Sequence, residues 1–158
     1  MKKTFLTLAA FFMLFAGSIM AQTKDIPETE LPADVKQVLS QYIQILQTAT
    51  DLDDAAEKVK VLFGGHLLNS SGNVDSDVYN YSLKKDFTNA KFYQYPVKIT
   101  RISRSMSDYD GFQSTLFEGT RYKIWIAKKQ GVAGMPAPVP IIKPATGDPK
   151  VVSVIGSL

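Results

Sequence analysis

The sequence predicts an α+β domain, with N-terminal helices packed on a curved antiparallel β-sheet of about four strands. Three observations carry that expectation. Apolar residues recur at threes and fours through the first half; beyond Tyr95-Pro96 the pattern changes to runs of β-branched and aromatic residues; and turn signals separate those runs. Helices first and strands afterwards, with short connections, place the helices on one face of the sheet.

The chain opens with Lys2 and Lys3, runs apolar from Phe5 to Met20 with few interruptions, and reaches Ala21 before polar Gln22. A basic start, a short apolar stretch and a small residue at its end are the marks of a secretory signal peptide, residues 1–21. The stretch is shorter than the ~20 apolar residues of a spanning helix, so no membrane attachment is expected after cleavage. The expected destination is the periplasm or the extracellular space. The chain has no cysteine, so the exported protein must be held together by its core alone.

Removal of residues 1–21 from the 158 leaves 137, a length suited to one domain with a sizeable core. It also takes Lys2 and Lys3 from the 18 basic residues, leaving 16 against 15 acidic ones, and lowers the net charge from +3 to +1. Nucleic-acid binding is not expected of so balanced a chain.

Residues 22–31 are polar and read as a flexible spacer, with a single α+β domain over 32–158. From Pro32, a good first-turn residue, Val35, Val38, Leu39, Tyr42, Ile45, Leu46 and Ala49 form one helical stripe. A second helix begins at Thr50 or Asp51, where Asp51, Asp53 and Asp54 suit the positive helix end. It buries Leu52, Ala55, Ala56, Val59, Leu62 and Phe63 and is stopped by Gly64-Gly65. A third is expected from about Asp75, burying Val78, Tyr79, Leu83 and Phe87. Strands are expected over Val97–Arg104, Ser114–Lys128, Val139–Lys143 and Lys150–Leu158. Asp108-Tyr109-Asp110-Gly111 reads as a turn, and residues 144–149 as the hairpin joining the last two strands.

Three helices followed by long antiparallel strands ending in "KVVSVIGSL" resemble the nuclear transport factor 2-like (SnoaL-like or cystatin-like) superfamily, whose curved sheet and helices form a cone. The resemblance implies a pocket between the helices and the concave face of the sheet. It also implies frequent dimerisation through the other face, and a role either as a small-molecule enzyme or as a non-catalytic binding module.

His66 is the only histidine. As a general base it needs a partner within hydrogen-bond reach, for which Asp86, Tyr81 and Tyr122 are available; otherwise it simply follows a helix stop, where its ring satisfies backbone carbonyls. The candidate catalytic residues are therefore His66, Asp86 and Tyr122. Candidate ligand contacts are Tyr42, Phe63, Phe87, Arg101 and Trp125. Arg101 falls where the strand loses phase between Ile99 and Ile102, so either a bulge follows Thr100 or the guanidinium points inward toward an anionic partner. Trp125 lies on the outward face of its strand, covered by another subunit, lining a groove, or shielded by neighbouring lysine stems. Lys98, Arg104, Arg121 and Lys123 form a basic stripe diluted by Glu118.

No metal or cofactor is expected. One histidine without cysteine is a poor zinc set, and the oxygen spacing Asn73, Asp75, Asp77 has Val78 where a calcium loop needs glycine and Lys84 where it needs glutamate. No nucleophile elbow or phosphate loop occurs. "GMPAPVP", Gly134 to Pro140, reads as a stiff exposed connector or a ridge for a partner.

The expectation is an exported, non-enzymatic domain that binds a small molecule or a protein and forms a homodimer. The alternatives are a cofactor-independent lyase, isomerase or hydrolase using a pocket His or Asp as base, and a periplasmic structural or assembly factor.

Overall fold

The computed structural model describes residues 23–153. The signal-peptide reading of residues 1–21 and the last part of the closing strand, 154–158, lie outside them. Among the described residues no helix is long and apolar enough to cross a membrane.

Among the described residues the architecture is α+β, with three α-helices and a five-stranded antiparallel sheet. Helix α1 (Ala33–Thr48) starts after Pro32, whose fixed φ suits a helix start. It buries Val35, Val38, Leu39, Tyr42, Ile43 and Leu46; of the expected stripe Ile45 and Ala49 are only partly buried, and Ile43 joins it. Helix α2 (Leu52–Val59) is capped by Asp51, whose carboxylate accepts the Asp54 amide at 2.8 Å. A tighter turn, Lys60–Leu62, extends it to the extended residue Phe63.

The third helical segment begins as expected near Asp75, whose carboxylate accepts the Asp77 amide at 2.9 Å. It then widens through Val78–Leu83 before the regular turns of α3 (Lys84–Asn89). That irregularity explains the uneven spacing of its apolar residues, since a wide turn advances more residues per revolution.

The sheet order is β1-β2-β3-β4-β5, a simple meander. Strand β2 (Ile99–Asp110) pairs with β3 (Phe117–Ile126), β3 with β4 (Pro138–Lys143), and β4 with β5 (Lys150–Val151) through the hairpin at 144–149. Ile102, Tyr122, Ile124, Ile126, Val139, Ile141 and Val151 face the helices and complete one core. Helix α1 lies against β4 and β5 and touches both other helices.

Two sequence expectations are corrected. Residues 24–31 are not a spacer: β1 (Lys24–Asp25) pairs with Arg104 and Ser103 of β2 and adds a fifth strand. Ile26 and Leu31 are buried in the core, and the Ile26 amide donates to the Ile102 carbonyl at 3.1 Å. Two apolar residues, seven and two positions ahead of the first helix, were enough to anchor the segment. Asp108-Tyr109-Asp110 is strand rather than turn, because β2 resumes after a second bulge at Ser105–Asp108, where Ser107 adopts a φ of 54°. The reversal falls instead at Gly111–Leu116.

Candidate functional site

Past Phe63 the chain turns on Gly64 and Gly65. A Cβ on Gly65, whose φ is +62°, would lie 2.4 Å from a carboxylate oxygen of Asp110, so only glycine fits there. Gly111 is equally constrained: its φ is +84°, and a Cβ would stand 2.9 Å from the Gly65 Cα. These glycines bring the segment after α2 against the end of β2. The approach sets His66 beside Asp110.

The His66 ring Nδ1 lies 2.5 Å from Asp110 Oδ1, and the His66 backbone amide donates to the same oxygen at 3.1 Å. Asp110 Oδ2 lies 3.5 Å from an Arg121 guanidinium nitrogen, and Arg121 Nε donates to Asp108 at 2.9 Å. The imidazole is 54% exposed while the Asp110 side chain is 13% exposed. A mostly buried carboxylate thus holds an accessible imidazole by one edge. The hydrogen bond to Asp110 raises the His66 pKa against a smaller opposing effect of burial, with the Arg121 charge also opposing. Burial pushes the Asp110 carboxyl up, but the His66 side chain and amide outweigh it and leave the pKa lowered.

The segment after α2, residues 114–117 beyond the end of β2, and Lys150 of β5 form the walls of a cleft of about 330 Å³. Phe63, Leu68, Leu116 and Phe117 supply its apolar surface, with Ser114 and Thr115 among its polar groups. The β2–β3 connection also carries Phe112, 76% exposed, and Tyr109 near the end of β2 is exposed as well.

The other candidates lie elsewhere. Asp86 is buried and accepts a 2.9 Å hydrogen bond from the Tyr42 hydroxyl, and the Tyr42 ring packs 5.9 Å from that of Phe63. Tyr42 is therefore a core residue rather than a pocket wall, and burial, with the Asp86 charge adding, pushes its pKa well up. Phe87 packs against the same core. Phe63 alone of this group also reaches a cleft. Tyr122 is buried on the inner face of β3 and hydrogen-bonding geometry groups it with neither His66 nor Asp86; its pKa is raised by burial.

Arg101 does not point inward. The register shift between Ile99 and Arg101 is the bulge, and Arg101 forms a two-point contact with Asp25 at 3.1 and 3.2 Å. Its guanidinium lies 4.6 Å from the centre of the Trp125 ring. Trp125 is thus shielded from within its own chain, by an arginine rather than lysine stems. The basic stripe is also interrupted: Arg104 lies 3.4 Å from Glu30, and Arg121 is engaged by two aspartates. In "GMPAPVP" the first half is an exposed loop led by Met135, but Pro138 to Pro140 enter β4. Among the described residues no group of three His, Cys, Asp or Glu side chains is arranged to hold a metal ion.

Sequence reasoning missed Asp110 and Arg121. The local trace is slight: past the second bulge only Asp108 and Asp110, two apart, share the strand face that Arg121 meets.

Fold and site define an open α+β meander domain with a carboxylate-held imidazole beside an apolar cleft. No family model, curated protein or solved structure matches the chain.

Proposed function

We propose that this is an exported, non-catalytic binding domain of nuclear transport factor 2-like architecture, which holds a small apolar molecule in the cleft between Phe63–Gly72 and the β2–β3 connection. The observation that carries the reading is the cleft itself. Its volume of about 330 Å³ falls in the range of small-molecule sites. Its walls combine four large apolar side chains with a few hydroxyls, Asn69 and Lys150. Exposed apolar surface of this kind favours association.

The test is a fluorescence titration with N-phenyl-1-naphthylamine, an uncharged apolar probe. Saturable binding is expected, weakened by roughly tenfold in Leu116→Arg, because a charge replaces part of the apolar wall. Linear, non-saturating fluorescence, or a variant that binds like the wild type, refutes the assignment.

A second reading, a small enzyme using His66 as base, draws on the His66–Asp110 contact, since a carboxylate at Nδ1 orients an imidazole for proton transfer. It ranks second because, among the described residues, Asp110 is the one side chain that hydrogen-bonds the imidazole, so no nucleophile or second acid–base group stands at the ring. Hydrolysis of p-nitrophenyl acetate that is abolished in His66→Gln supports it; rates equal in both proteins remove it.

A further inference from the structure

We propose that His66 and Asp110 form a proton-controlled clasp that sets how firmly the two walls of the cleft are held together. The inference adds a mode of regulation to the binding site proposed above and rests on that reading only for the use made of the cleft. Its own basis is the placement of the contact. His66 follows Gly64 and Gly65 of the wall after α2 without lining the cleft itself, and Asp110 lies four residues ahead of the wall that runs from Ser114 to Phe117. The ring bond and the amide bond to Asp110 Oδ1 are side-chain ties across this junction.

The backbones meet there with no side chain between them. A Cβ on Gly111 would lie 2.2 Å from the Thr115 carbonyl oxygen and 2.9 Å from the Gly65 Cα. A change in the attraction between His66 and Asp110 therefore acts directly on the two segments instead of being absorbed by flexible side chains. When the ring is protonated the contact is an ion pair; when neutral it keeps at most a hydrogen bond to the carboxylate.

The surrounding charges define the balance. Asp110 from β2 and Asp75 from the segment before α3 favour the protonated ring, and Arg121 from β3 opposes it. Arg121 also donates to the Tyr109 carbonyl at 2.6 Å and to Asp108. It keeps Asp110 in place whichever state His66 adopts. The clasp is thus one-sided: β2 and β3 stay fixed, and the Gly64–Leu67 segment, which keeps the His66 amide bond to Asp110 and the Gly64 amide bond to the Val151 carbonyl at 2.9 Å, is the part whose hold on β2 weakens as pH rises. Half-exposure of the imidazole gives protons free access to it.

A proton NMR titration tests the clasp, and a single histidine makes the imidazole signal unambiguous. In the wild type the amides of Gly64, Gly65 and Gly111 through Leu116 are expected to shift with the same midpoint as the His66 ring. In Asp110→Asn the ring midpoint falls and those amides cease to follow it. In His66→Gln their response in that pH range disappears while the rest of the spectrum remains folded. Amides indifferent to the ring in the wild type, or an unchanged ring midpoint in Asp110→Asn, overturn the proposal. The wild-type titration stands even if a variant fails to fold. The readout involves no ligand, so a cleft that binds no probe leaves it intact, and the two proposals fail separately.

Discussion

His66 and Asp110 make opposite contributions to stability as pH changes. His66 has a raised pKa in the folded protein, so its contribution is fully present below its ordinary value of 6.5 and is lost as pH rises through the folded value. Asp110 has a lowered pKa, so its contribution is present above its ordinary value of 3.8 and is lost as pH falls through the folded one. The contact therefore stabilises most between those two ordinary values. Urea unfolding is expected to show a wild-type advantage over His66→Gln that is larger at about pH 5.5 than at about pH 8.5, reduced in size by the solvent around the ring. An advantage independent of pH disproves it. Arg101 offers a second residue-level test, because the chain has one tryptophan. Arg101→Ala uncovers Trp125, so the emission maximum should move to longer wavelength with a stability loss of about 0.5–1 kcal/mol. An unmoved maximum means that something other than Arg101 shields the ring.

Elements differ in how much of them is local. Helices α1 and α2 form where their stripes and caps place them, because a helix buries one face every three to four residues and Asp51 satisfies an amide three residues away. Strand β1 has no such local cause: two residues pair with β2 only because β2 is already in the sheet. Its anchoring side chains, Ile26 and Leu31, are worth about 1.5–3 kcal/mol each when buried. A chain beginning at Pro32 is thus expected to unfold at markedly lower urea concentration than one beginning at Gln22, by a few kcal/mol. Equal midpoints show that residues 22–31 are dispensable. The bulges of β2 were half legible. The first appears in the sequence as lost phase between Ile99 and Ile102, whereas the second is concealed by an Asp-x-Asp-Gly pattern that imitates a turn.

At the scale of the molecule, export and assembly remain proposals with direct tests. Mass spectrometry of protein recovered outside the cytoplasm is expected to give an N-terminus at Gln22, and an intact Met1 there refutes signal cleavage. X-ray scattering tests the proposed homodimer, and a monomer mass removes it; the cover that Arg101 provides for Trp125 already takes away one reason for a second subunit. The sequence by itself determined the three helical segments, the strands that follow them, the cap at Asp51 and the lost phase at Arg101. Each of these depends on residues within a few positions of one another, where periodicity and backbone preference act. Only the tertiary structure decided that His66 meets Asp110, 44 residues away, that Arg101 reaches Asp25, 76 residues away, and that Tyr42 and Asp86 meet in the core. Those contacts follow from how the sheet's register and the glycine contacts fold distant segments together, and single-chain periodicity carries no record of which strand ends opposite which loop.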